Sequence, residues 1–127
     1  MKNSKILLGI DFGTGGCKVS AVAIDGALLG EASVEYVTEY AHPGWSEQNP
    51  ADWYAALDTA LKKLSGQGLD LALVQAIALD GSTHNAVLLD SNWKPLRKTI
   101  MWTDQRSVPE CEFLQKNYGE LIFQTAF

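Results

Sequence analysis

The segment Asp11-Phe12-Gly13-Thr14-Gly15-Gly16-Cys17-Lys18, which directly follows the apolar run Ile6-Leu7-Leu8-Gly9-Ile10, constrains this chain more than any other part of it. Three glycines and a threonine between two strand-like stretches predict a tight hairpin turn. Its backbone N–H groups can converge on an anion, because no bulky side chain blocks approach. Asp11, at the end of a buried strand, is placed to hold a hydrated magnesium ion, and Lys18, at the start of the next strand, to face the phosphates that accompany it. This is not a Walker loop, which puts Gly-Lys-Ser/Thr at a helix start, since Val19-Ser20-Ala21-Val22-Ala23-Ile24 continues as a second strand. Taken alone, the same residues also read as an ordinary hairpin with a glycine-rich turn.

An anion at that turn must be met locally. The 127 residues carry a net charge of -5 with ten basic side chains scattered along the chain, which argues against a nucleic-acid or anionic-membrane surface. A hydrophobic content of 46% is enough for one buried core. Apolar stretches such as Ala76-Ile77-Ala78-Leu79 are too short to span a bilayer, and residues 1–4 precede a strand rather than form a signal sequence, so a cytoplasmic location is the expectation. Cys17 and Cys111 belong to no metal-ligand or CxxC spacing and read as two reduced thiols, with no structural metal.

Residues 5–11, 17–24 and 28–37 read as three strands of an antiparallel meander, with Asp25-Gly26 as a two-residue hairpin signal. After the loop Tyr40-Ala41-His42-Pro43-Gly44, Asn49-Pro50-Ala51-Asp52 supplies an N-cap, a proline at the first helical position and an acid in the first turn. Trp53, Leu57, Ala60, Leu61 and Leu64 then recur at helical spacing, and Gly66 is the expected stop. Val74 to Leu79 reads as a buried strand, most easily parallel to an earlier one after the crossover helix, which makes the sheet mixed. Ala86 to Asp90 and Thr99 to Trp102 read as a small hairpin around Ser91-Asn92-Trp93-Lys94-Pro95. Ser107-Val108-Pro109-Glu110 has capping-box spacing and opens a second helix that passes Tyr118 before Gly119, and a further apolar segment begins at Glu120. No domain boundary is visible within 1–127.

This order of elements resembles the α/β fold of actin-like ATPases, with its ribonuclease H-like mixed sheet. The stretch Pro43-Gly44-Trp45-Ser46-Glu47-Gln48-Asn49-Pro50-Ala51-Asp52-Trp53 closely resembles the one before the first helix in the FGGY carbohydrate kinases, xylulokinases above all. Asp80-Gly81-Ser82-Thr83-His84-Asn85-Ala86-Val87-Leu88-Leu89-Asp90 and Ile100-Met101-Trp102-Thr103-Asp104-Gln105-Arg106 agree in order and spacing. The resemblance implies ATP-dependent phosphorylation of a sugar or polyol hydroxyl. It also implies that 1–127 is the N-terminal part of the first actin-like domain, with the general-base aspartate and the adenosine pocket beyond Phe127. The isolated chain is then expected to be inactive. ATP and Mg2+ are the implied cofactors, no nucleic acid or membrane is an expected partner, and a homodimer is admissible.

Carried over residue by residue, the resemblance makes Asp11 the magnesium-facing aspartate, and Gly13, Thr14, Gly15, Gly16 and Lys18 the loop that handles the transferred phosphate. Thr83 and His84 fall where relatives contact sugar hydroxyls, and Trp102 near a position that walls the polyol site, where an aromatic face covers sugar C–H groups. Asp104 is a weaker substrate candidate, because pairing with Arg106 is the competing structural reading. Trp45 and Trp53 read as packing residues and His42 as loop. Xylulokinases usually have Ser-Gly-Gln-Met-His-Gly where this chain has Asp80 to Asn85, and an asparagine at Thr103. A hydroxyl in place of an apolar wall changes which hydroxyl patterns are accepted, so gluconate, ribulose, another ketose or a polyol are also admissible. The alternative reading is a non-catalytic nucleotide- or sugar-binding module of the same fold.

Overall fold

The computed structural model describes residues 5–126, so residues 1–4 and 127 lie outside the account that follows. Alternating burial shapes the first three strands, β1 (Ile6–Phe12), β2 (Gly16–Ala23) and β3 (Leu28–Glu35). Ile6, Leu8, Ile10, Cys17, Val19, Ala21 and Ala32 point to one buried face, and the residues between them point to the other. β4 (Glu47–Gln48) follows, then α1 (Pro50–Gly66), β5 (Val74–Gly81), β6 (Thr99–Ile100) and α2 (Val108–Ala126). The main sheet has the order β3-β2-β1-β5, with β1 antiparallel to β2 and parallel to β5. This is the expected mixed sheet with its crossover helix.

α1 covers the buried face. Asn49 caps it by accepting from Ala51 N–H at 3.1 Å, Pro50 opens it, and Ala56, Ala60 and Leu64 pack on the sheet. Leu64 is fully buried, and its truncation to alanine would cost about 2–5 kcal/mol. The helix ends at Gly66 as expected, but Gly66 is not the glycine that closes it. Gln67 is the cap and Gly68, at φ +91°, takes the left-handed conformation. Gly68 N–H bonds to Ser65 O at 3.0 Å and Leu69 N–H to Leu64 O at 3.3 Å, the paired bonds that close a helix end around a left-handed residue.

Three further expectations are corrected and one is met in part. The β2–β3 connection is longer than a two-residue turn: Ala23 N–H bonds to Ala27 O at 2.8 Å around Ile24, Asp25 and Gly26, with Gly26 at φ +91° providing the bulge that such a loop uses. β5 is an edge strand rather than a buried one. Its Ile77 and Leu79, set beside Leu8 and Ile10 by the parallel register, are 58% and 70% exposed, and Leu79 lines an open cavity with Tyr54 and Leu57 of α1. Residues 86–102 do fold back on themselves, with Ala86 bridging Ile100, Leu89 bridging Pro95 and Asp90 N–H bonding to Lys94 O at 2.9 Å, but the hairpin is irregular and not self-contained, because β6 also pairs antiparallel with the short strand β4. α2 runs through Gly119 as one helix, since nothing there adopts a left-handed φ, and no Ser107–Glu110 side-chain exchange is found among the described residues. Cys17 is buried and Cys111 exposed, both as free thiols. Among the described residues no helix is long and apolar enough to cross a membrane.

Candidate functional site

Parallel pairing of β1 and β5 sets Asp11 opposite Asp80 and Phe12 opposite Gly81, so both strands end at the same edge of the sheet. Parallel strands commonly present ligand-binding groups at their C-terminal ends. The β1–β2 turn, Gly13 to Gly16, crosses that edge. Three contacts from behind fix it. Tyr36 OH donates to Gly13 O, Gln48 Nε2 donates to Thr14 O at 2.7 Å, and Tyr36 N–H donates to Gly15 O at 3.2 Å. In a trans peptide the C=O and the following N–H point in opposite directions. With the Gly13 and Thr14 carbonyls drawn inward, the N–H groups of Thr14 and Gly15 point outward. Both residues are exposed. Gly16 is required by packing, because a Cβ there would lie 2.8 Å from Val34 O.

Thr14 is also where the turn meets the second half of the site. Its hydroxyl receives the Trp102 indole N–H at 3.3 Å and lies 3.5 Å from Ser82 Oγ. Asn85 clamps the same corner, accepting from Trp102 N–H at 2.9 Å and donating to Ser82 O and Oγ at 3.1 Å each. Thr14, Gly81, Ser82, Thr83, His84 and Trp102 line a shallow concavity of about 390 Å³. His84 sits in it at φ +61°, a conformation uncommon for a side-chain-bearing residue and frequent at ligand sites. Its Nδ1 lies 2.8 Å from Thr83 Oγ1, which orients the ring and leaves Nε2 for another partner.

Asp11 and Lys18 fall on a different side of the turn. They line a groove of about 280 Å³ on the sheet face opposite α1, together with Ser20 and Asp80. Lys18 Nζ is 2.9 Å from Glu31, whose carboxyl its hydrogen bond, joined by one from Ser20, holds below the ordinary range. Lys18 is therefore oriented along the sheet, toward β3, rather than into the Thr14 concavity. Among the described residues no group of three or more His, Cys, Asp or Glu side chains could hold a metal ion. Two adjacent carboxylates with room for water do fit magnesium, which keeps several waters and takes its remaining oxygens from phosphate.

Asp104 is brought close to the site without opening onto it. Its side chain is 3% exposed, and its oxygens accept from Arg106 Nε at 2.8 Å, Arg106 Nη2 at 2.6 Å, Arg106 N–H at 2.9 Å and Ser46 N–H at 2.7 Å. The Arg106 guanidinium holds its carboxyl well below the usual carboxylate range. Arg106 in turn stacks 3.8 Å over the Trp45 ring and reaches Glu47 at 2.9 Å, while His42 meets Trp45 edge-on. Burial pushes the Glu47 carboxyl up, but Arg106 and Arg97 outweigh it and leave it lowered. Trp53 donates to Gln48 Oε1 at 2.8 Å, in keeping with its reading as a packing residue.

Sequence reasoning missed Tyr36, Gln48, Ser82 and Asn85 as parts of this arrangement. A glutamine directly before a helix cap, inside a tryptophan-rich loop, was the available signal for Gln48.

The chain matches, over residues 6–126, the model for the N-terminal domain of the FGGY family of carbohydrate kinases. It belongs to that family, and its fold is that of the actin-like sugar kinases. Within the family its relatives include a xylulose kinase of Staphylococcus epidermidis, 36% identical over 93% of this chain and 24% of the relative. A xylulose kinase of Escherichia coli is 38% identical over 85% of this chain and 22% of the relative. The crystal structure of a xyloylose kinase from Brucella ovis superposes with a TM-score of 0.81 at 35% identity, covering 90% of this chain and 24% of that one. The chain thus spans about a quarter of the length of the relatives it matches.

Proposed function

We propose that residues 1–127 are the N-terminal part of the first actin-like domain of an ATP-dependent sugar kinase acting on a ketopentose such as xylulose, in the cytoplasm. The observation that carries this reading is the Thr14 corner. A turn with two outward N–H groups abuts a concavity whose rim combines an indole face, an imidazole and hydroxyls. One side suits a phosphate and the other a polyol.

In this reading a sugar hydroxyl oxygen bonds to the γ-phosphorus of ATP as the bond from that phosphorus to the β,γ-bridging oxygen breaks. ADP leaves, and the hydroxyl proton passes to a base expected beyond residue 127. Thr14 and Gly15 N–H groups, with Gly13 and Gly16 shaping their turn, hold phosphate oxygens where negative charge shifts during transfer. His84 and Thr83 bind sugar hydroxyls, and Trp102 covers the C–H face. Mg2+, when bound, would neutralise phosphate charge, and Asp11 with Asp80 are the side chains suited to hold it. Lys18 contributes positive charge from the β2 side, and Asp104 supports the rim through Ser46 and Arg106 rather than by touching sugar. The test is ADP formation by the complete protein with Mg-ATP and a panel of ketopentoses, gluconate and polyols. The reading expects ketopentose-dependent ADP release, and ADP release unaffected by any sugar would refute it.

A further inference from the structure

We infer that Gln48 is a positioning residue for the phosphate turn, holding the Thr14 peptide in the orientation that makes its neighbouring N–H groups available to an anion. This deepens the kinase reading and rests on it for its catalytic consequence. Gln48 is 1% exposed, yet its amide is fully engaged. Nε2 donates to Thr14 O and to Thr38 Oγ1 at 2.7 Å each, and Oε1 accepts the Trp53 indole N–H at 2.8 Å. The two partners other than Thr14 have no evident reason to meet a glutamine in a core, except to orient it. Trp53 comes from the first turn of α1, and fixes which end of the amide is the acceptor. The NH2 group is thereby directed at the turn.

A buried donor and a carbonyl this close specify one peptide orientation, because flipping the Thr14–Gly15 peptide would leave Nε2 without its acceptor and bury an unpaired donor. Tyr36 makes the matching contact to Gly13 O from β3's end, so adjacent peptides are held by separate elements. The turn itself has glycine on both sides of Thr14, and glycine offers little resistance to peptide reorientation. What its own sequence leaves loose, Gln48 fixes. The strand pair β4–β6 places Gln48 rigidly, since Thr99 opposes it in the ladder.

The test uses Gln48→Glu in the complete protein, a near-isosteric change that keeps the acceptor for Trp53 and removes both donated bonds. Gln48→Leu serves as the more severe comparison and Thr38→Val as the variant that leaves the Trp53 and Thr14 contacts in place. Hydrogen–deuterium exchange over residues 11–17 is expected to quicken in Gln48→Glu and to stay near wild type in Thr38→Val. kcat is expected to fall about 10- to 100-fold in Gln48→Glu, the scale of a misplaced reacting group, with the sugar KM within about 2-fold of wild type. A lowered thermal midpoint with unchanged kcat and unchanged exchange over 11–17 would overturn the inference and leave Gln48 a packing residue. Should the wild-type protein phosphorylate no sugar, the kinase reading fails, and the exchange comparison still decides whether Gln48 orders the turn.

Discussion

The indole N–H of Trp102 donates to the hydroxyl of Thr14 at 3.3 Å, joining residues 88 positions apart. The turn proposed to meet phosphate and the aromatic rim proposed to meet a polyol are therefore one connected structure. In the proposed kinase, donor and acceptor of the phosphoryl group must be aligned to within about 1 Å, and a shared contact between the elements proposed to bind them would provide that.

Asp11 is predicted to matter for turnover rather than for sugar recognition, because it lies in the groove on the sheet face opposite α1 while the sugar rim lies across the turn. In the complete protein Asp11→Asn should lower kcat at least ~100-fold while sugar affinity, read by calorimetry, survives. Near-normal turnover would remove Asp11 from the machinery.

His84 should act in the opposite way. With Nδ1 held by Thr83, Nε2 remains for a sugar hydroxyl, and losing one such bond corresponds to roughly a tenfold weaker interaction. His84→Ala is expected to raise the sugar KM by about that factor with a smaller effect on the KM for ATP, as steady-state kinetics would show.

Glycines of one turn should respond differently. A Cβ at Gly15 meets nothing within 4 Å, so Gly15→Ala should keep the thermal midpoint yet raise the KM for ATP by crowding the approach of phosphate. Gly16→Ala forces a Cβ against the Val34 carbonyl of β3, which cannot yield as a flexible side chain would, and should cost about 1–3 kcal/mol of stability. Equal thermal midpoints for the two variants would contradict this division.

Asp104 is predicted to govern stability in acid. Arg106 lowers its carboxyl pKa in the folded protein, so the contribution is complete above the ordinary value of 3.8 and is lost as pH falls through the folded-state value below it. Asp104→Asn should lower stability by about 3 kcal/mol by leaving Arg106 short of a partner. The gap between variant and wild-type thermal midpoints should be flat from pH 5 to 8 and narrow only below about pH 4. A gap that widened in acid would reverse the sign and refute the assignment.

Much of this was legible in the residues. Period-two burial in β1 and β2, the Asn49-Pro50 helix start and the glycine turn are local signals, and each appeared where its chemistry placed it. The misreadings share a cause, which is that local pattern does not report partners. Ile77 and Leu79 look like core residues until the sheet order puts β5 at an edge. Ile100 does answer Ala86 across a loose hairpin, but nothing local shows that Glu47 and Gln48 also take Thr99 and Ile100 as ladder partners. Gln48 itself carries no periodic signal, and its importance arises only when Thr14, Thr38 and Trp53 converge on it.

Phosphate and sugar are proposed to meet at Thr14, and the most direct measurement is a crystal structure of the complete protein with a non-hydrolysable ATP analogue, Mg2+ and D-xylulose. The prediction is a phosphate oxygen within hydrogen-bond distance of the Thr14 or Gly15 N–H, and the sugar seated between His84 and Trp102. Phosphates bound away from residues 13–16, or a sugar bound outside the Thr14–His84–Trp102 concavity, would contradict it.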